Sequence, residues 1–341
     1  MKKVVLSVAM LLMGVTAFAQ SNNSSVEQTG NRHTSNVNQT GNENESIVRQ
    51  SERSNVSAVT QTGTLNYSGV LQDGINGRST VTQTGLDNAS NVTQIGDGNI
   101  ANVKRYGDHN RSEIVQSGDS NEASVYQVGD VNSSKIDQTG DDNYSYVSQY
   151  NGDNNRAVTS QDGNNNYAVV LQSDGNFNSV TVSQEGDYNQ ADSEQVGNLN
   201  FSSIVQIGEA NFSTVAQDGN LNGSTVYQYG DDNNAIVSQL GTGNVASTHQ
   251  FDGDENRSVS TQDGGVNYGS AVQNGSENSS ELIQRGSFNT SLLTQVGTQH
   301  SSEAVQTGFG NFSSVNQNGS NHASMVSQLG NSNFSNVVQN N

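Results

Sequence analysis

NGSTVYQYGDDNNAIVSQLGTGN, residues 222–244, contains two glutamines, Gln228 and Gln239, set eleven residues apart. Each lies six places after an Asn, four after a small residue and two after a Val, and each is followed two places on by Gly. Spacings of two put Asn222, Ser224, Val226 and Gln228 on one face of an extended strand and leave variable polar residues on the other. Gly230 and Gly241 then turn the chain, because glycine adopts the positive φ that a tight corner requires.

The same unit, as in Asn211, Ser213, Val215, Gln217 and Gly219, runs through the chain from Asn22 onward. Of 29 units, 28 carry the Gln, from Gln28 to Gln339, and Arg105 replaces it once. Asn fills its slot in 25 of 29, with His33, Gly77, His300 and His322 the exceptions. The next inward slot is Ser, Ala or Gly except at Val180, and the third is mostly Val or Ile. Three intervals are twelve residues long, with the extra residue between Gln149 and Gly152, Gln172 and Gly175, and Gln250 and Gly253. Register is thus kept in the strand and slack is taken in the turn. Glu52 is the one internal departure from the turn glycine.

A single strand and turn cannot bury anything alone, so a fixed period implies that neighbours complete each other's core. The expected fold is an all-β, two-sheet β-solenoid over residues 20–341. Consecutive units form opposite walls and run in opposite directions, so Asn faces Gln and small Ser faces larger Val across a thin core. Along the coil like stacks on like, and Asn and Gln form amide ladders that satisfy a core otherwise costly to desolvate. Fourteen or so coils at ~4.8 Å per strand give a rod of roughly 70 Å.

Composition agrees with this reading and sets its limits. There are 36 Gly but no Pro, Cys or Trp, and 30% of residues are hydrophobic. About 17 Pro would be ordinary at this length, and their absence suits uninterrupted sheets. Low hydrophobicity with a net charge of −20 also fits disorder, a reading that the strict period displaces. The acidity argues against nucleic acid as a partner, since no basic stripe is present to neutralise phosphates. Residues 1–19 read as a secretory signal peptide: Lys2 and Lys3, an apolar run from Val4 to Val15, and Ala17-Phe18-Ala19 before a cleavage point near Ala19/Gln20. No second apolar span follows, so no transmembrane anchor is expected.

The pattern N-x-S/A-x-V-x-Q-x-G-x-x-N, as in NYSYVSQYNGDNN (143–155) and NFSTVAQDGNLN (211–222), resembles the curlin repeat. The resemblance covers residues 22–341. It implies a secreted bacterial subunit of curli, the functional amyloid fibre of biofilm matrix, with strand–turn–strand units twice the length counted above. It also implies export through an outer-membrane secretion channel and polymerisation on a nucleator subunit.

The repeat itself points to assembly. Strand edges at Asn22, Val26 and Gln28 and at Asn333, Val337 and Gln339 are expected to template pairing with further copies, giving an end-to-end homopolymer. A monomeric adhesin or spacer is the alternative. Gly-Asp-x-Asn turns stack Asp97, Asp119 and Asp141 about 5 Å apart on one edge, a repulsion that calcium or simple turn chemistry could accommodate. Aromatics one place after the Asn slot, among them Tyr67, Tyr144, Tyr167, Phe201 and Phe334, are expected to point outward. Arg105 reads either as a ladder defect or as a side chain swung out of the core. Ser, Asp and scattered His recur as parts of the repeat, so no catalytic group and no cofactor are expected, and the chain reads as no enzyme.

Overall fold

The computed structural model describes residues 21–341; the expected signal peptide at 1–19 and its cleavage point near Ala19/Gln20 lie outside the described residues. Twenty-nine strands run from β1 (Asn23–Asn31) and β2 (Thr34–Asn42) to β28 (Ala323–Asn331) and β29 (Phe334–Asn340), with no helix among the described residues. Odd-numbered strands build a 15-stranded parallel sheet and even-numbered strands a 14-stranded one. The protein is therefore an all-β, two-sheet solenoid of about 14 turns.

Pairing follows the inward slots. Val26 lies beside Val48 and Gln28 beside Gln50, and the register survives the longer intervals, where Gln138 still pairs with Gln161 and Gln239 with Gln262. Inward side chains are buried and outward ones half-exposed in strict alternation over most strands, as a two-residue period requires.

The corner holds a second feature that composition does not advertise. The turn glycine sits at φ between 97° and 145° in most coils, and the residue just before the Asn slot also lies in the left-handed region, as at Leu65 (59°), Tyr188 (57°) and Glu255 (57°). In the twelve-residue intervals the inserted Asn151, Asp174 and Asp252 take left-handed φ values of 52–53°. Gly152, Gly175 and Gly253 then leave the positive-φ region. Glu52 keeps the glycine slot only by taking φ 75°.

The apolar core is one column of Val and Ile with Ala beside it, from Val48 to Ala246, and a second from Ala271 to Val326. Between them Thr248 and Ser260 occupy the Val slot and are buried. Thr248 Oγ1 and Ser258 Oγ meet at 3.4 Å across the core, as Ser145 Oγ and Thr159 Oγ1 do at 2.7 Å, so small slot faces Val slot as expected. By that register the oversized Val180 comes opposite the undersized Ser193, both buried, a volume-conserving exchange.

Candidate functional site

In a protein built from one repeated interface, the site is that interface and the places where it is left open. Its first component is the glutamine ladder. Gln195 Nε2 donates to Gln217 Oε1 at 2.8 Å, and Gln217 Nε2 donates to Gln239 Oε1 at 2.7 Å. On the other wall Gln206 donates to Gln228, and Gln228 to Gln250, both at 2.9 Å. Each Nε2 also donates across the core, Gln217 to the Phe201 carbonyl at 2.9 Å and Gln228 to the Phe212 carbonyl at 3.0 Å. A buried amide with both donors and its acceptor engaged avoids the desolvation cost.

The asparagine column differs from a simple amide ladder. Asn222 Oδ1 accepts the backbone N–H of Asn244 at 3.1 Å, while Nδ2 donates to the Gly241 carbonyl at 3.0 Å. Asn211 does the same with Asn233 N–H at 3.1 Å and Gly230 O at 2.7 Å. Side-chain-to-side-chain bonds join only some coils, as from Asn211 Nδ2 to Asn189 Oδ1 at 3.1 Å. The short Asn side chain lies between the backbone N–H of the next coil's Asn and the carbonyl of that coil's turn glycine, so it works as a corner clamp.

Ser213 and Ser224 are buried, and their hydroxyls have no partner among the described residues. Ala123, Ala168 and Ala235 fill the same slot elsewhere. Some slot hydroxyls do pair, as Ser280 with Ser258 at 3.0 Å and Ser291 with Ser313 at 2.9 Å, but small volume is what every occupant except Val180 shares. Ser213→Ala should accordingly stabilise the protein by about 1 kcal/mol, because it removes an unmet hydroxyl without changing the packing; a shift of the urea midpoint to lower concentration would contradict this.

Arg105 lies inside, fully buried, so it is a ladder defect and not a side chain turned to solvent. Its Nη1 donates to the Ala89 and Asn110 carbonyls, but Nε and Nη2 find nothing, and Gln127 Oε1 is left without a donor. Desolvation by burial pulls the guanidinium pKa down to about 9.

The acidic turns stack as expected. Asp97 Oδ1 accepts the Ile75 N–H, Asp119 Oδ1 the Asp97 N–H and Asp141 Oδ1 the Asp119 N–H, each at 2.8 Å. One oxygen of each carboxylate is thus held by the backbone of the coil before it. Among the described residues no three acidic or imidazole groups converge on a metal-sized space.

Outward aromatics gather on one part of the even-numbered sheet. The strands β8 (Ile100–Tyr106), β10 (Glu122–Val128), β12 (Tyr144–Tyr150) and β14 (Tyr167–Ser173) carry six tyrosines. Tyr144 and Tyr167 stack at 5.0 Å, and Tyr126 lies 6.2 Å from Tyr106 and 6.5 Å from Tyr150. Partial burial, then Tyr106, Tyr150 and Tyr146, push the Tyr126 phenol pKa up.

Among the described residues the first and last coils have opposite chemistry. Val26 is 47% exposed, and Gln28 Oε1 accepts nothing among the described residues although its Nε2 donates to Gln50 at 2.7 Å. Asn22 meets Asn44 N–H at 3.0 Å. At the far end Gln339 Oε1 accepts from Gln317 at 2.8 Å, Val337 packs on the second core, and Asn333 N–H reaches Asn311 Oδ1 at 3.0 Å. Every Gln-to-Gln bond donates toward the C-terminal end, so the ladder's acceptors face out at one end and its donors at the other.

Among protein-family models, Curlin associated repeat matches the chain at residues 58–85, 118–150, 152–186, 175–208, 208–241 and 303–330. No curated protein matches it.

Proposed function

The chain belongs to the curlin-repeat family, and on that premise we propose that it is a structural subunit of an extracellular, curli-like amyloid fibre that supports adhesion and biofilm matrix. The observation that carries the proposal is the polarity of the ladders. One terminal coil offers glutamine acceptors at Gln28 and the other a glutamine donor at Gln339, so a second copy can continue both sheets head to tail with the contacts that already join every coil. Backbone and amide hydrogen bonds supply the cohesion, and the polymer is the product; no substrate is turned over. A secretory leader at 1–19 delivers the chain out of the bacterial cytoplasm, a secretion channel in the outer membrane passes it, and a nucleating subunit starts growth. No helix among the described residues is long and apolar enough to cross a membrane.

Fibre X-ray diffraction on the secreted protein, aged at low salt until turbid, tests this reading. Fibres with a meridional reflection near ~4.7–4.8 Å and an equatorial one near ~10 Å are expected. A chain that keeps its β-structure and stays monomeric would sink the fibre. It would favour the second reading, a surface adhesin that presents the six-tyrosine face of the even-numbered sheet.

A further inference from the structure

The two edges of the solenoid are not alike over its C-terminal half. Turns that lead into odd-numbered strands lie on one edge, and turns that lead into even-numbered strands on the other. On the first edge the left-handed site before Asn is held by Phe177, Leu199, Leu221, Val266 and Phe288, at φ 56–59°. Phe309 adds to the row one step earlier in its turn, 5.2 Å from the Phe288 ring. These side chains are 51–58% exposed. On the second edge the corresponding turns carry Asp187, Glu209, Asp231, Asp254, Glu255 and Glu277.

Local backbone preference does not explain the first edge. Left-handed φ favours Gly, Asn and Asp and is a true outlier for β-branched or bulky residues, and at the same backbone site the second edge sets Asp232, Glu255, Glu277, Gln299 and Asn321 beside Tyr188 and Ala210. From Asn176 to Phe309, the two turn positions between Gly and Asn on the first edge hold no charge; Asp174, Asp218, Asp263 and Arg285 stand one step back, just before the turn glycine. A contiguous apolar row on a chain of net charge −20 is a contact surface kept exposed at a conformational cost.

We infer that this edge pairs laterally with the same edge of a second copy of the chain. Charge decides the occupant: contact through the second edge would bring two rows of carboxylates together, whereas the first edge is the neutral approach between two such copies. The row is also self-complementary. Its centre is Gly243, a notch with Leu221 and then Leu199 and Phe177 on one side, and Val266, Phe288 and Phe309 on the other. A two-fold axis at Gly243 lays notch on notch and sets Leu221 against Val266 and Leu199 against Phe288, with side chains repeating at ~4.8 Å in both copies. Six side chains of roughly 150–200 Å² each, about half exposed, bury on the order of 1,000 Å² in the pair. That is the lower bound for a specific contact, so pairing is weak between single molecules and grows along any longer array.

Pairing does not depend on end-to-end growth, and the two can be read separately. The full secreted chain is compared with F177N/L221N/F288N, whose asparagines suit the left-handed sites, and with E255Q/E277Q on the opposite edge. Sedimentation velocity gives the monomer–dimer equilibrium, electron microscopy the width of any fibres, and circular dichroism confirms that each variant keeps its β-structure. The expected result is a reversible dimer for the wild type and E255Q/E277Q, weakened at least about tenfold in F177N/L221N/F288N, with double-width fibres becoming single. Equal pairing by F177N/L221N/F288N, or a wild type that stays single at every concentration, overturns the inference. Single fibres of normal length overturn pairing alone, whereas dimers that never elongate overturn the fibre reading alone.

Discussion

Arg105→Gln should raise the stability of the protein by about 3–5 kcal/mol, the scale of relieving a buried and incompletely paired charge. The argument is local. Gln83 Nε2 reaches only the Tyr67 and Asn88 carbonyls, at 2.9 and 3.1 Å, where Gln61 and Gln127, the nearest glutamines in its column, also find an amide oxygen. Gln127 Oε1, Arg105 Nε and Arg105 Nη2 are all unmet. A glutamine restores two ladder bonds and removes the charge. The sign of the pH dependence follows from the lowered guanidinium pKa of about 9. Above that value the folded chain releases a proton that the unfolded chain still holds, so the unfolded state binds more protons and stability rises with pH. The full penalty is present below pH 9 and is relieved above it. The advantage of the variant should therefore narrow in alkali. Because long repeat arrays need not unfold in two states, amide exchange across Ala101–Gln127 should be followed beside the urea midpoint. Unchanged protection there, or a gap between the proteins that widens above pH 9, would contradict this account.

Period, register and the direction of the walls were all readable from the chain, because a two-residue alternation inside an eleven-residue unit admits one arrangement. Val180 opposite Ser193 shows how far that logic reaches. Other features were not readable, each for a physical reason. The left-handed site before Asn carries no residue signature: Leu65, Tyr188, Glu255 and Phe288 all occupy it, since stacked turns impose the conformation whatever the side chain prefers. The pattern of Asn also hides its chemistry, because an amide ladder and a corner clamp demand the same residue. Burial of Arg105 was undecided, as a long side chain at an inward slot could have left by the strand edge. The apolar edge was in plain view but aliased. Read every eleven residues, Phe177, Tyr188, Leu199 and Ala210 mix the two edges; read every second unit, one edge is apolar and the other acidic.

Two glycines separate what the turn needs from what the stack needs. Gly219 and Gly98 both sit at positive φ, 126° and 71°. A Cβ on Gly98 would meet nothing nearer than Ser120 Oγ at 3.6 Å, and Ser120 itself holds that site in the next coil at φ 59°. A Cβ on Gly219 would fall on the carbonyl oxygen of Gly241, well inside contact distance. That atom belongs to a backbone fixed by its own ladder and by Asn222 Nδ2, which donates to it at 3.0 Å. Relief requires the two turns to separate, which breaks the clamp and the strand pairing around it. Gly98→Ala should thus cost no more than about 1 kcal/mol, the left-handed strain being partly offset by a stiffer unfolded chain. Gly219→Ala combines that strain with overpacking against fixed backbone and should cost about 3–5 kcal/mol. Amide exchange should show the loss concentrated in the coils holding Gly219 and Gly241 and fading within a few coils, as nearest-neighbour coupling dictates. Equal costs at the two positions would mean that backbone conformation alone selects the glycine. The carbonyl of the next coil would then have no part in choosing it, and the close turn-to-turn stacking on which the clamp depends could not be what holds the edges of this solenoid together.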